Sequence, residues 1–157
     1  MCSSDLTTQC LVNQCGFTCE AGYFDVNDNP KDGCECQKSS SLDKPDGPDQ
    51  NCDGIDGEVG NGIFVALTGK AGNPGTIEQP LASISEAMAA AVAQGKRDVY
   101  VASGVYGESI ALVAGVHVYG GYSASFKFHN PKGYETVIMG TAPTADKPGA
   151  VNAIGLQ

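Results

Sequence analysis

All seven cysteines of this chain, Cys2, Cys10, Cys15, Cys19, Cys34, Cys36 and Cys52, stand in its first 52 residues, and the remaining 105 contain none. That asymmetry divides the chain before any motif is read. A short segment dense in cysteine indicates disulfides and an oxidising compartment. The stretch 10–36 offers only Leu11, Val12, Phe17, Tyr23, Phe24 and Val26 as larger apolar side chains. That is too little for a core, so cross-links must supply the constraint. Zinc is the rival reading. However, Cys15-x3-Cys19 and Cys34-x-Cys36 are not C-x2-C pairs, and His117 and His129 lie far downstream. At least two disulfides are expected within residues 2–52. Their connectivity stays open, because six cysteines can pair in many ways. The seventh is either free, bridged to another chain, or a consequence of where the chain starts.

Charge follows the cysteines. Residues 1–60 hold 12 acidic residues against three lysines, and residues 61–157 hold six of each sign, so the net charge of −9 resides in the front. No basic stripe is present, and a nucleic-acid partner is not expected. No run of 18 apolar residues occurs, so no membrane span is expected. The start shows no apolar export signal. A disulfide-rich chain without one is read as truncated or wrongly started, with an extracellular or bacterial cell-surface location.

Three segments follow. Residues 1–40 form a cysteine-rich disulfide module. Residues 41–62 form an acidic Asp/Gly linker or calcium-loop-like segment. Residues 63–157 form a β module. In the middle segment Asp49, Asn51 and Asp53 place oxygen ligands at positions 1, 3 and 5 before Gly54, with Asp56 following. That is the opening of a calcium loop. Position 12 is Gly60 instead of a bidentate glutamate, so an EF-hand is rejected. Two readings remain: a looser calcium site on Asp49, Asn51, Asp53 and Asp56, or an Asp/Gly turn pinned by Cys52. Asp25, Asn27 and Asn29 share the 1-3-5 spacing, with Pro30 in place of the glycine.

In the β module, Ser83 to Gln94 reads as a helix. Ser83 is its cap, Glu86 closes a capping box, Gly95 stops it, and Ile84, Ala87, Met88, Ala91 and Val92 share one face. Short strands are expected at 63–67, 98–102, 108–113, 115–119 and 136–139. Val99, Val118 and Val137 recur at intervals of 19, with Ile154 next, which suggests a solenoid.

Three resemblances bear on this. The string Asn51-Cys52-Asp53-Gly54-Ile55-Asp56-Gly57 resembles repeats of metal-binding, surface-exposed bacterial proteins. The segment from Asp25 to Glu35 is similar to segments of secreted, cysteine-rich proteins of myxobacteria. Farther on, Gly69-x-x-Gly72-x-Pro74-Gly75-Thr76, Pro80-Leu81-Ala82-Ser83-Ile84, Asp98-Val99-Tyr100-Val101-Ala102-x-Gly104-x-Tyr106-x-Glu108 and Val116-His117-Val118-Tyr119-Gly120-Gly121-Tyr122 follow in order. That series resembles the entry coils of right-handed parallel β-helices of the pectin-lyase-like class. The resemblance implies a mainly β fold: a right-handed parallel β-helix of three to four coils, capped by helix 83–94 and preceded by the small disulfide-rich module. It also implies an N-terminal fragment, or a short form that needs a partner, with self-association through the open β-helix end.

Catalytic residues are not assigned. Glu108 is the best-placed acid, and it reads as structural. Asp98 precedes a strand and the single arginine, Arg97, precedes it. His117 alternates with Val116 and Val118 and is expected on an outer face. Tyr119, Tyr122, Phe126, Phe128 and Tyr134 suggest loop packing, or an aromatic platform for sugars. The function expected is a non-catalytic secreted or cell-surface structural or binding module that contacts extracellular glycan, matrix or a surface protein. The alternative is the N-terminal part of a polysaccharide lyase or glycoside hydrolase whose active coils lie beyond Gln157.

Overall fold

The computed structural model describes residues 6–11, 14–29, 31, 33–140 and 151–153. The chain forms two compact units, Met1–Gly57 and Glu58–Gln157.

The first unit holds two antiparallel hairpins. Strand β1 (Leu6–Leu11) pairs with β2 (Gln14–Cys19), placing Cys10 opposite Cys15. Strand β3 (Tyr23–Phe24) pairs with β4 (Cys36–Gln37). Two disulfides, Cys19–Cys34 and Cys36–Cys52, each join α-carbons 5.8 Å apart. The expectation of at least two disulfides is met, and Cys2 lies outside the described residues. Only Cys34 and Ile55 are buried apolar residues among those described in this unit. Carboxylates acting on backbone N–H groups replace the missing core. Asp43, itself buried, accepts from Lys44, Gln50 and Gly57. Glu35 Oε1 accepts from Val26 and Asn27.

The second unit begins with a 3-10 turn (Val59–Asn61) and strand β5 (Gly62–Val65). Helix α1 (Ile84–Gln94) follows, then β6 (Asp98–Ala102), β7 (Gly104–Tyr106), β8 (Ile110–Leu112), β9 (His117–Tyr122), β10 (Thr136–Ile138) and β11 (Val151–Ala153). Strands β5, β6 and β9 form one parallel sheet in that order, while β7–β10 and β8–β11 form two parallel pairs. Helix α1 covers the inner face of the first sheet. Ile84, Ala87, Met88 and Ala91 pack with Ile63, Val65, Leu81, Val99 and Val101. The helix stripe is as expected except for Val92, which is 57% exposed. Gly95 ends the helix at φ 66°, in the left-handed region where glycine has no steric penalty. Gly69 is needed for another reason, since a Cβ there would strike the carbonyl of Leu81.

The other face of this sheet is aromatic. Phe64, Tyr100 and Tyr119 lie in one row by register. Phe126, at φ 62°, drives its ring against Phe64 at 4.9 Å, and Tyr122 packs against Tyr100 at 5.3 Å. Left-handed backbone at a bulky residue costs about 1–2 kcal/mol, offset here by full burial of the Phe126 ring. His129 stacks on Tyr122 at 4.4 Å. Tyr122 and Phe126 therefore serve loop packing and not an exposed platform, while Phe128 is exposed.

These findings correct the expected fold class. The described chain is mostly turn and loop, with one short helix and small sheets, and it is not a mainly β repeating solenoid or a pectin-lyase-like β-helix. Val99 does face Val118, but Val137 faces Val105 in a separate two-stranded sheet. Ile154 lies outside the described residues. The pairings Gly62–Asp98, Asp98–His117, Gly104–Thr136 and Ile110–Val151 share no common period. The reason is local: Gly- and Pro-rich loops of unequal length interrupt strands of three to six residues. The open solenoid end falls with that fold. Among the described residues no helix is long and apolar enough to cross a membrane.

Candidate functional site

The anticipated calcium ligands fold as turn-formers. Asp49 Oδ1 accepts from Cys52 N at 2.6 Å and Asp53 N at 3.3 Å, and its Oδ2 accepts from Gly54 N at 2.9 Å. Asn51 Oδ1 accepts from Asp53 N, and Asn51 Nδ2 donates to Asp53 Oδ2. Asp56 turns elsewhere, accepting from Asp46 N and Gly47 N with its two oxygens. Asp49, Asn51 and Asp53 thus share one loop and Asp56 braces another. Among the described residues no group of three or more His, Cys, Asp or Glu could hold a metal ion. No such metal-binding cluster stands there, and the loop has the hydrogen bonding of an Asp/Gly turn, with Cys52 at φ 59° anchored by its disulfide. The 25–29 segment behaves the same way, with Asp25 and Asn27 accepting from Asn29 N. Calcium added to chelator-treated protein should shift Tm by less than about 1 °C, since stabilisation by a ligand requires differential binding to the folded state. A calcium-dependent rise of several degrees in a thermal melt would contradict this assignment.

Glu108 is a helix cap supplied from a distant part of the chain. Its carboxylate accepts from Ile84 N at 2.7 Å, Ser85 N at 3.0 Å, Ser83 Oγ at 2.9 Å and Ser85 Oγ at 2.7 Å. The first turn of α1 leaves N–H groups without intrahelical partners and carries the positive end of the helix dipole, so an anion is stabilising there. Burial pushes the Glu108 carboxyl up. The hydrogen bonds from Ser85, Ile84 and Ser83 outweigh it and leave the group below the usual glutamate range. Beside it, burial and the Glu108 charge push the Tyr106 phenol up to about 12, and that hydroxyl donates to Ala102 O. Glu86 does not close the capping box. It reaches outward and accepts from Gly72 N at 2.8 Å, while Ser83 Oγ caps Glu86 N.

Two surface features of the second unit remain for function. The first is an open cavity of about 410 Å3 in the loop after β5, lined by Lys70, Asn73, Ile77, Glu78, Gln79 and Ala124 among others. Asn73 Nδ2 donates to Pro80 O and fixes the loop from within. Cationic, anionic and amide groups around small apolar surfaces suit a polar molecule with several hydroxyl groups.

The second is a corner on the aromatic face of the β5–β6–β9 sheet. Register places Gly62, Asp98 and His117 in one row. Asp98 is buried, with His117 Nδ1 at 3.1 Å from its Oδ1 and an Arg97 guanidinium nitrogen at 3.8 Å from its Oδ2. His117 faces outward as expected. Burial and the Asp98 charge raise the Tyr119 phenol, against a lowering by Arg97.

Sequence reasoning named Asp98, Arg97 and His117 one at a time and missed the constellation. Its signal was present: the interval that relates Val99 to Val118 also relates Asp98 to His117. The cavity had no comparable signal, since a Gly/Pro-rich loop can take many paths. Comparison of the chain with protein-family models, with curated proteins and with solved structures gives no match.

Proposed function

We propose that the chain is a non-catalytic binding module of the extracellular space or cell surface, and that its ligand is a glycan of the matrix or of a neighbouring surface. The observation that carries this reading is the open polar cavity around Lys70, Asn73 and Gln79. Hydrolysis of a glycosidic bond calls for a pair of carboxyl groups flanking it. The two acids most eligible by position are committed elsewhere: Glu108 to the start of α1, and Asp98 to Arg97 and His117. The disulfides support an oxidising location.

Calorimetric titration of the oxidised protein with a panel of neutral and acidic oligosaccharides tests the proposal. At least one should bind, with a Kd on the order of 0.1–1 mM, as expected for a shallow polar site. Lys70→Ala or Gln79→Ala should weaken that binding about threefold to tenfold, since each removes one hydrogen-bonding group. Absence of binding across the panel, or binding indifferent to both substitutions, would remove the cavity from the account.

A further inference from the structure

The Asp98 corner shares no residue with the cavity, and its chemistry differs. We propose that Arg97 and His117 at the buried Asp98, with Lys96 at the Gly62 end of the same row, form a binding site for a tetrahedral oxyanion, a phosphate or sulfate ester. The Asp98 side chain is only 7% exposed, whereas those of Arg97 and His117 are 60% and 55% exposed. One buried carboxylate therefore anchors two side chains whose remaining donors face solvent. The Arg97 fork meets Asp98 through one nitrogen, and its other N–H groups are available to a ligand.

At His117, Nδ1–H donates to Asp98 and fixes the ring, so that Nε2 is the atom presented outward. With a proton on Nε2 the ring is an imidazolium donor. Its ring also lies 6.1 Å from Tyr119, edge to face, and Tyr119 stacks on Tyr100 at 5.9 Å. That packing gives the imidazole an aromatic neighbour. Lys96 Nζ donates to Gly62 O at 3.0 Å, at the far end of the same row. The Tyr100 ring fills the space a Cβ on Gly62 would take, so the Gly62 end is packed and contributes its carbonyl as the anchor for Lys96.

The charges favour an anion. Lys96 and Arg97 carry two fixed positive charges against the single charge of Asp98, and an imidazolium adds a third. A planar carboxylate is satisfied by one guanidinium fork. Donors arriving from three separate side chains instead match an anion with three acceptor oxygens. The surrounding segment 61–157 is neutral by formal count, so no excess of negative charge opposes an anion there.

The test follows the His117 ring resonances by NMR in the intact, disulfide-bonded chain at constant ionic strength. Inorganic phosphate, inorganic sulfate, glucose 6-phosphate and glucose 6-sulfate are the four probes. Binding should saturate with a Kd on the order of millimolar for an exposed site. The His117 ring resonances should move along one saturating curve as the anion binds, because the ligand contacts the ring. Arg97→Gln and His117→Gln, both at exposed positions, should each weaken binding at least about fivefold, the scale of one lost charge-assisted hydrogen bond. Saturation by the phosphate probes alone identifies a phosphorylated ligand, and by the sulfate probes alone a sulfated one. A ring that responds to none of the four, or Gln variants that bind as the parent does, would overturn the site and leave the corner as a surface ion pair.

Discussion

Reduction of Cys19–Cys34 and Cys36–Cys52, the two disulfides among the described residues, will unfold the first unit and leave residues 58–157 folded. Cys19–Cys34 and Cys36–Cys52 close loops with sequence separations of 15 and 16 residues. Each such loop removes about 3 kcal/mol of chain entropy from the unfolded state in the loop-closure model. Little else in the unit could compensate for their loss. Cys34 and Ile55 are its buried apolar residues among those described, and the turns rest on Asp43, Asp49 and Asp56 binding N–H groups. Hydrogen bonds of this kind contribute about 1 kcal/mol net each, and several of them are near solvent. Amide spectra recorded before and after reductant should show residues of the first unit collapsing to random-coil positions while those of the second keep theirs. Cys36→Ser combined with Cys52→Ser should unfold the same unit in part, by about 2–4 kcal/mol. A reduced protein with an unchanged spectrum would show that the carboxylate turns suffice alone.

The second large effect lies in the other unit. Glu108→Ala removes four hydrogen bonds from the start of α1. The expected destabilisation is about 2–4 kcal/mol, because hydrogen bonds to a charged acceptor are stronger than neutral ones and a dipole contact goes with them. For a unit of this size that lowers Tm by about 10–20 °C. Glu108→Gln keeps an acceptor and loses the charge, so it should cost about half as much.

Acidification offers a check on sign. The Glu108 carboxyl sits below its usual range in the folded state, so its stabilisation is present above the unfolded value and is lost as pH falls through the folded one. Asp43 works in the opposite sense. Burial raises its carboxyl, hydrogen bonds from Gly57, Gln50 and Lys44 lower it, and the neighbouring Asp56 charge raises it, with a net rise. Its contribution is present below the unfolded value and is lost as pH rises through the folded value. Melts followed separately for the two units should therefore show the second losing stability at strongly acidic pH in a Glu108-dependent way. A Glu108→Gln protein with an unaltered acid limb would refute the cap.

The sequence was most legible where local chemistry decides. The Ser83 cap, the Gly95 stop and the alanine-rich face of α1 follow from short-range rules, and the helix stands where those rules put it. Strand positions at 98–102 and 136–138 were legible from the alternation of valine and isoleucine with glycine punctuation. Pairing was not. The interval between Val99 and Val118 is a true parallel register, yet it did not extend to Val137, since which strands meet depends on the loops between them. The role of the Asp/Asn loop was not legible for a related reason. Asp and Asn at alternate positions before glycine serve a cation or fold back onto their own backbone, and spacing cannot distinguish the two. Here Asp49 and Asn51 fold back. The partner of Glu108 was equally invisible, because a cap drawn from a later connection, between β7 and β8, leaves no local pattern.

Recognition without turnover separates a binding module from an enzyme. Oligosaccharides of neutral, carboxylated and sulfated classes should be incubated with the oxidised chain while the saccharide is followed by NMR over a day. The predicted result is line broadening or saturation transfer to at least one saccharide, with its glycosidic signals unchanged and no new reducing ends or unsaturated sugars. Steady appearance of cleaved product, abolished by Glu108→Gln in a protein that remains folded, would contradict both the binding-module reading and the structural role of that glutamate.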